Sequence, residues 1–127
     1  MKEPVWIDRR VVIAVHELLL SEHGGALGVR DETLLDSALA RPRHLFAYEQ
    51  ADLTDLAAAY VGGIVRNHPF VDGSKRTGFM TGYIFLARNG LRLKASETEA
   101  AKMVFDLAAG TLTETEFTVW LGTRVKH

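Results

Sequence analysis

Between Arg66 and Gly78 the chain reads R-N-H-P-F-V-D-G-S-K-R-T-G, and this stretch holds most of the residues able to do chemistry. A histidine side chain has a reference pKa near 6.5, so a histidine at position 68 is a residue type able to take a proton from a hydroxyl at neutral pH; His68 is the candidate base. A helix opening at Ser74 would present free backbone N–H groups and the positive end of its dipole to whatever lies before it. Gly73 lets the backbone come close there, while Lys75 and Arg76 add two charges at the same end, Arg as a bidentate clamp and Lys as a mobile point charge. The guest such a cradle fits is a polyphosphate. Asp72 stands immediately before it and would repel a phosphate unless a divalent cation lay between them. Mg²⁺ held by one carboxylate plus phosphate oxygens is the usual solution. Pro69 fixes the loop backbone and Phe70 reads as an apolar anchor. A base, a metal carboxylate and an anion cradle are the parts needed to transfer a phosphorus group from a nucleotide to a hydroxyl.

Those residues need elements to position them. Asp8 can cap a helix from about Arg9 to His23, in which Val11, Val12, Val15, Leu18 and Leu19 recur at helical spacing before Gly24-Gly25. After the turn G-G-A-L-G-V-R, Asp31 reads as the cap of a shorter helix, with Arg30 its exposed neighbour. Pro42 is expected to stop that helix and leave a loop from Arg43 to Ala51 that carries Phe46 and Tyr48. Asp52 or Thr54 starts a third helix, running to about Asn67, apolar on almost every face and therefore central. Within it Gly62 and Gly63 each cost about 1 kcal/mol against alanine. With Gly78 and Gly82 they are predicted to let the third helix and a fourth, Ser74 to Gly90, approach closely beside the loop. Leu91 to Lys94 is a short extended link. Ser96 with Glu99, and Thr113 with Glu116, form capping-box pairs for a fifth helix ending at Gly110 and a sixth. The expectation is an all-α single domain over residues 1–127, with about six helices and a central pair bracketing H-P-F-V-D-G-S-K-R-T.

The 127 residues carry 47% apolar and 24% charged side chains, which excludes the composition of a disordered chain. A net charge of -1 gives no global field for nucleic acid, so phosphate recognition must be local. With no cysteine, thiolate catalysis and zinc-thiolate sites are excluded. Charges interrupt the N-terminus where a signal peptide needs its apolar run, and the apolar run Leu56 to Val65 is far shorter than the roughly 20 residues of a membrane span. The expected location is the cytoplasm, with no membrane partner. His16, His23, His44 and His127 show no ligand spacing and receive no role.

The motif H-P-F-V-D-G-S-K-R-T resembles the Fic/Doc signature. The Fic branch runs H-x-F-x-[D/E]-G-N-G-R-x-x-R, and the Doc (death-on-curing) branch runs H-x-F-x-D-[A/G]-N-K-R-T. The segments G-V-R-D-E-T-L-L-D-S-A-L-A-R-P, F-A-Y-E, D-L-A-A-A-Y and F-L-A-R-N-G are also similar to the Doc branch, so the resemblance spans most of the chain. It implies an all-α fold and a toxin of a toxin–antitoxin system, silenced by a Phd-type antitoxin. It further implies transfer of phosphate from Mg-ATP to a Ser/Thr hydroxyl of a protein, elongation factor Tu by resemblance, with translation halted. Position by position, the resemblance makes His68 the base, Phe70 the loop anchor and Asp72 the Mg²⁺ carboxylate. Gly73, Ser74, Lys75 and Arg76 become phosphate contacts, joined by Arg66 at a basic position of the Doc branch. Tyr48 falls in the region where the family has a flap that aligns the target peptide, with a packing role as an equal alternative. Lys75 and Phe79 replace residues of the Fic branch and favour phosphate transfer over the alternative, AMP transfer. Ser74 departs from both branches, which have asparagine. A shorter side chain there implies a second alternative, a catalytically weakened module that binds its antitoxin. The Fic inhibitory pattern [S/T]-x-x-x-E-[G/N] does not occur in the chain, so inhibition is expected from outside.

Overall fold

A computed structural model describes residues 2–127. Six helices follow one another: α1 (Arg9–His23), α2 (Glu32–Tyr48), α3 (Leu53–Asn67), α4 (Ser74–Arg88), α5 (Glu97–Ala109) and α6 (Glu114–Arg124). The fold is all-α apart from one minimal ladder, in which β1 (Arg92–Leu93) pairs antiparallel with β2 (Val125–Lys126). The extended link expected at Leu91–Lys94 is thus one strand of a pair. Its partner at the C-terminus had too short a sequence pattern to be read.

Local chemistry sets most of the boundaries. Asp8, Asp31, Asp52, Ser96 and Thr113 each accept a backbone N–H from the first turn of the helix they precede. Thr113 and Glu116 form the reciprocal box, as do Asp52 and Asp55, whereas Glu99 turns instead to Arg124 of α6 at 2.6 and 2.9 Å. The second helix departs from expectation, because it continues through Pro42 to Tyr48. Proline removes one hydrogen bond and crowds the preceding turn. Here the cost is offset by burial of Pro42 itself and by Leu45 and Phe46 one turn later, which pack on the core. Trp6 meets Phe46 edge-on at 5.7 Å and stacks on Phe85 at 6.1 Å, fixing the N-terminal segment against α2 and α4.

At the centre lies α3, in which every residue from Leu56 to Val65 is buried, and α2, α4, α5 and α6 pack around it. The close approach of α3 and α4 comes from the glycines of α4 alone. A Cβ at Gly78 would stand 2.9 Å from Val65 Cγ2 and 3.3 Å from the Val61 carbonyl, and one at Gly82 would stand 3.3 Å from the Ala57 carbonyl. Gly62 and Gly63 face elsewhere, correcting the expected four-glycine contact. A Cβ at Gly63 would stand 3.3 Å from the Ala38 backbone of α2, and one at Gly62 would run into the Glu114 carboxylate of α6. No helix among the described residues is long and apolar enough to cross a membrane.

Candidate active site

The loop between α3 and α4 begins with a strained residue. His68 is the C-cap of α3 at φ 49°, ψ 57°, and among the described residues it alone, apart from glycines, has a positive φ. A left-handed conformation costs an L-residue about 1–2 kcal/mol, so its surroundings must hold it there. Arg30 does so. Its Nε donates to the His68 carbonyl at 2.9 Å and its Nη2 to the Asn67 carbonyl at 3.1 Å, placing a cation on the last carbonyls of α3. The Asn67 amide donates to the Leu34 carbonyl at 2.9 Å. With its backbone fixed, the His68 side chain remains exposed.

The rest of the loop is stapled to the connection between α1 and α2. The N–H groups of Arg30 and Asp31 donate to the Pro69 carbonyl at 2.6 and 3.1 Å, Val29 bridges Phe70, and the Val71 N–H donates to the Gly28 carbonyl at 3.1 Å. Asp72 is held twice. Its Oδ2 accepts the Ala26 N–H at 2.9 Å, and its carbonyl lies 2.7 Å from His16 Nε2. Its Oδ1 accepts no hydrogen bond among the described residues and the side chain is exposed. Phe70 is completely buried beneath the loop, its ring stacked on His16 with centroids 3.8 Å apart.

The fourth helix opens at Ser74, as expected. The N-cap is Gly73, in the left-handed region at φ 82°, and it offers no side chain to the helix. Ser74 is the first helical residue and does not cap. It is buried, and its hydroxyl accepts the Phe70 N–H at 3.3 Å, pointing into the loop's own backbone. Among the six helices α4 is therefore the one whose N-cap side chain satisfies no first-turn N–H group, which leaves these donors open to an anion. Lys75 and Arg76 follow on the surface with no ion-pair partner among the described residues. With the neighbouring Asp72 they are residue types that could take up a cation-bound phosphate: a carboxylate oxygen without a hydrogen bond, uncapped N–H groups and two positive charges without an ion pair among the described residues.

Two expected contributors lie elsewhere. Arg66 stands two residues before His68, about 200° round the helix at 100° per residue, and its guanidinium reaches Glu114 of α6 at 3.9 Å. That carboxylate already binds Arg41 through two hydrogen bonds of 2.5 and 2.7 Å, which hold the Arg41 pKa above its ordinary value. Among the described residues no hydrogen bond or ion pair joins the Arg66 side chain to the loop. Tyr48 ends α2 and is 84% exposed, and the segment lying along the loop is instead Gly28 to Arg30. Sequence reasoning missed Arg30 and His16. The run G-G-A-L-G-V-R-D, whose glycines allow a backbone close enough to hydrogen-bond a second loop, signals the staple but not these two side chains.

No group of three His, Asp or Glu side chains among the described residues is placed to hold a metal ion. A cation at Asp72 would therefore take its other ligands from phosphate oxygens and water, as Mg²⁺ commonly does. The donor set fits Mg²⁺ together with a nucleotide polyphosphate.

Comparison with known proteins bears on the same residues. The sequence profile of the Fic/DOC family matches residues 6–86, which include the loop, the uncapped helix start and the segment stapled to them. The chain is similar to Toxin Doc of Mycolicibacterium smegmatis, with 40% identity over 94 residues, 71% of this chain and 68% of that protein. It is also similar to Protein kinase doc of Escherichia phage P1, with 32% identity over 105 residues, 82% of each.

Proposed function

The chain belongs to the Fic/DOC family, and from that premise we propose that it is a Doc-type toxin that transfers the γ-phosphate of Mg-ATP to a Ser/Thr hydroxyl of a protein. The observation that carries the reading is the convergence at one loop of an exposed histidine, a half-free carboxylate and an uncapped helix N-terminus bearing Lys75 and Arg76. The names of its relatives, a Doc toxin and a Doc protein kinase, support it.

In this mechanism His68 accepts the proton of the attacking hydroxyl as that oxygen bonds to the γ-phosphorus. The bond from phosphorus to the β–γ bridging oxygen breaks, and ADP leaves with the electron pair. Mg²⁺, when bound, offsets the phosphate charge, and Asp72 Oδ1 would hold it. The N–H groups of the first turn of α4, with Lys75 and Arg76, orient the phosphates and stabilise charge as it moves to the leaving group. Lys75 stands where the AMP-transferring branch has glycine. Its bulk and charge favour the nucleotide orientation that presents the γ-phosphate. By resemblance the target is elongation factor Tu, the consequence is arrested translation, and the silencing partner is a Phd-type antitoxin.

Inducible expression in a bacterium tests the toxin reading. The unaltered protein should arrest growth, and His68→Ala should not. Equal arrest by the variant would refute a catalytic origin. One observation favours a second reading, a copy with weakened catalysis. Asparagine normally stands at Ser74, whose hydroxyl here faces inward to the Phe70 N–H. Faster ATP turnover by Ser74→Asn would support attenuation, and equal rates would dismiss it.

A further inference from the structure

We propose that His16 is the positioning residue that sets the metal carboxylate, acting through the Asp72 backbone. The inference rests on the reading of Asp72 as the Mg²⁺ ligand given above. His16 lies on α1, far from the motif in sequence, yet it is only 2% exposed and its ring does two things at once. One face stacks on Phe70 at 3.8 Å with the planes 13° apart, and Nε2 lies 2.7 Å from the Asp72 carbonyl oxygen. A carbonyl can only accept, so Nε2 carries the proton and the ring is held as the Nε2–H tautomer or as the cation. The same ring borders Gly73, where a Cβ would lie 3.6 Å from His16 Cδ2 and 3.7 Å from Nε2. His16 therefore fixes the peptide joining the metal carboxylate to the helix start that cradles the phosphates. Ala26, which holds Oδ2, fixes the side chain, and His16 fixes the backbone that carries it. A packing role alone needs the ring's shape. Positioning also needs the Nε2–H.

Three proteins separate these roles: His16→Phe keeps an aromatic ring on Phe70 without the donor, His16→Gln restores a donor of similar reach without the ring, and Asp72→Asn tests the premise. The readout is calorimetric affinity for Mg²⁺ with a non-hydrolysable ATP analogue, alongside thermal melting. Loss of an outer partner typically weakens a metal site by 10–100-fold, so His16→Phe should bind about tenfold or more weakly and His16→Gln should recover much of the loss. Affinity unchanged in His16→Phe, or lost equally in both variants in step with the melting temperature, overturns the proposal while Asp72→Asn remains weak. Undiminished affinity in Asp72→Asn would instead overturn the premise. An independent measurement on the unaltered protein uses long-range ¹H–¹⁵N NMR of the imidazole. A protonated, slowly exchanging Nε2 is expected, and an unprotonated Nε2 would overturn the proposal whether or not the variants fold.

Discussion

At the scale of single residues, the site trades backbone comfort for placement. His68 occupies a conformation that suits glycine, so His68→Gly should be more stable than His68→Ala by about 1 kcal/mol in denaturant melts, although both lose transfer activity. Equal stability would mean that the left-handed backbone is not imposed by the protein. Gly73 is the complementary case. At φ 82° any side chain is strained, and Gly73→Ala should lose about 1 kcal/mol of stability together with nucleotide affinity. The motif residues were legible because their chemistry is local, with His68, Asp72, Lys75 and Arg76 close together in sequence. His16 was not, since the carbonyl it serves is 56 residues away and a lone histidine on an apolar helix face has no spacing to betray its partner. Arg30, 38 residues from the carbonyl it caps, was hidden for the same reason.

The elements show what local rules settle and what packing decides. Caps at Asp8, Asp31, Asp52, Ser96 and Thr113 follow from side-chain chemistry and were readable in advance. Pro42 was misleading because the helix rule is local, whereas the burial of Leu45 and Phe46 is tertiary. The glycines needed partners that only the fold supplies. Gly78→Leu should destabilise by about 1–3 kcal/mol through overpacking against Val61 and Val65. Gly122→Ala, with nothing within 4 Å of the new methyl, should stabilise α6 by up to about 1 kcal/mol. Chemical denaturation of the two variants checks both signs. The connection between α1 and α2 carries the strongest coupling of fold to site. Replacing Arg30 by methionine removes two hydrogen bonds from a charged donor, and a loss of about 1–3 kcal/mol is expected with a lower turnover number.

For the whole molecule, one tie between its last two helices is set by pH. Hydrogen bonding to Arg124 holds the Glu99 carboxyl below its ordinary range. A depressed folded-state pKa contributes stability that is present above the ordinary glutamate value of about 4.3 and lost as pH falls through the folded value. Glu99→Gln should therefore melt below the unaltered protein at neutral pH, with the difference shrinking in acid. Near-neutral net charge gives the molecule no general attraction for polyanions, so under the proposed function phosphate recognition must be local to the loop. Under the proposed function the loop between α3 and α4 moves a γ-phosphate with His68 as base. Incubating the protein with a bacterial extract and ATP labelled separately at the γ and α positions tests it most directly. Label is predicted on protein from the γ position only, and is predicted to vanish with His68→Ala. Label arriving from the α position, or γ label persisting in that variant, would contradict the account.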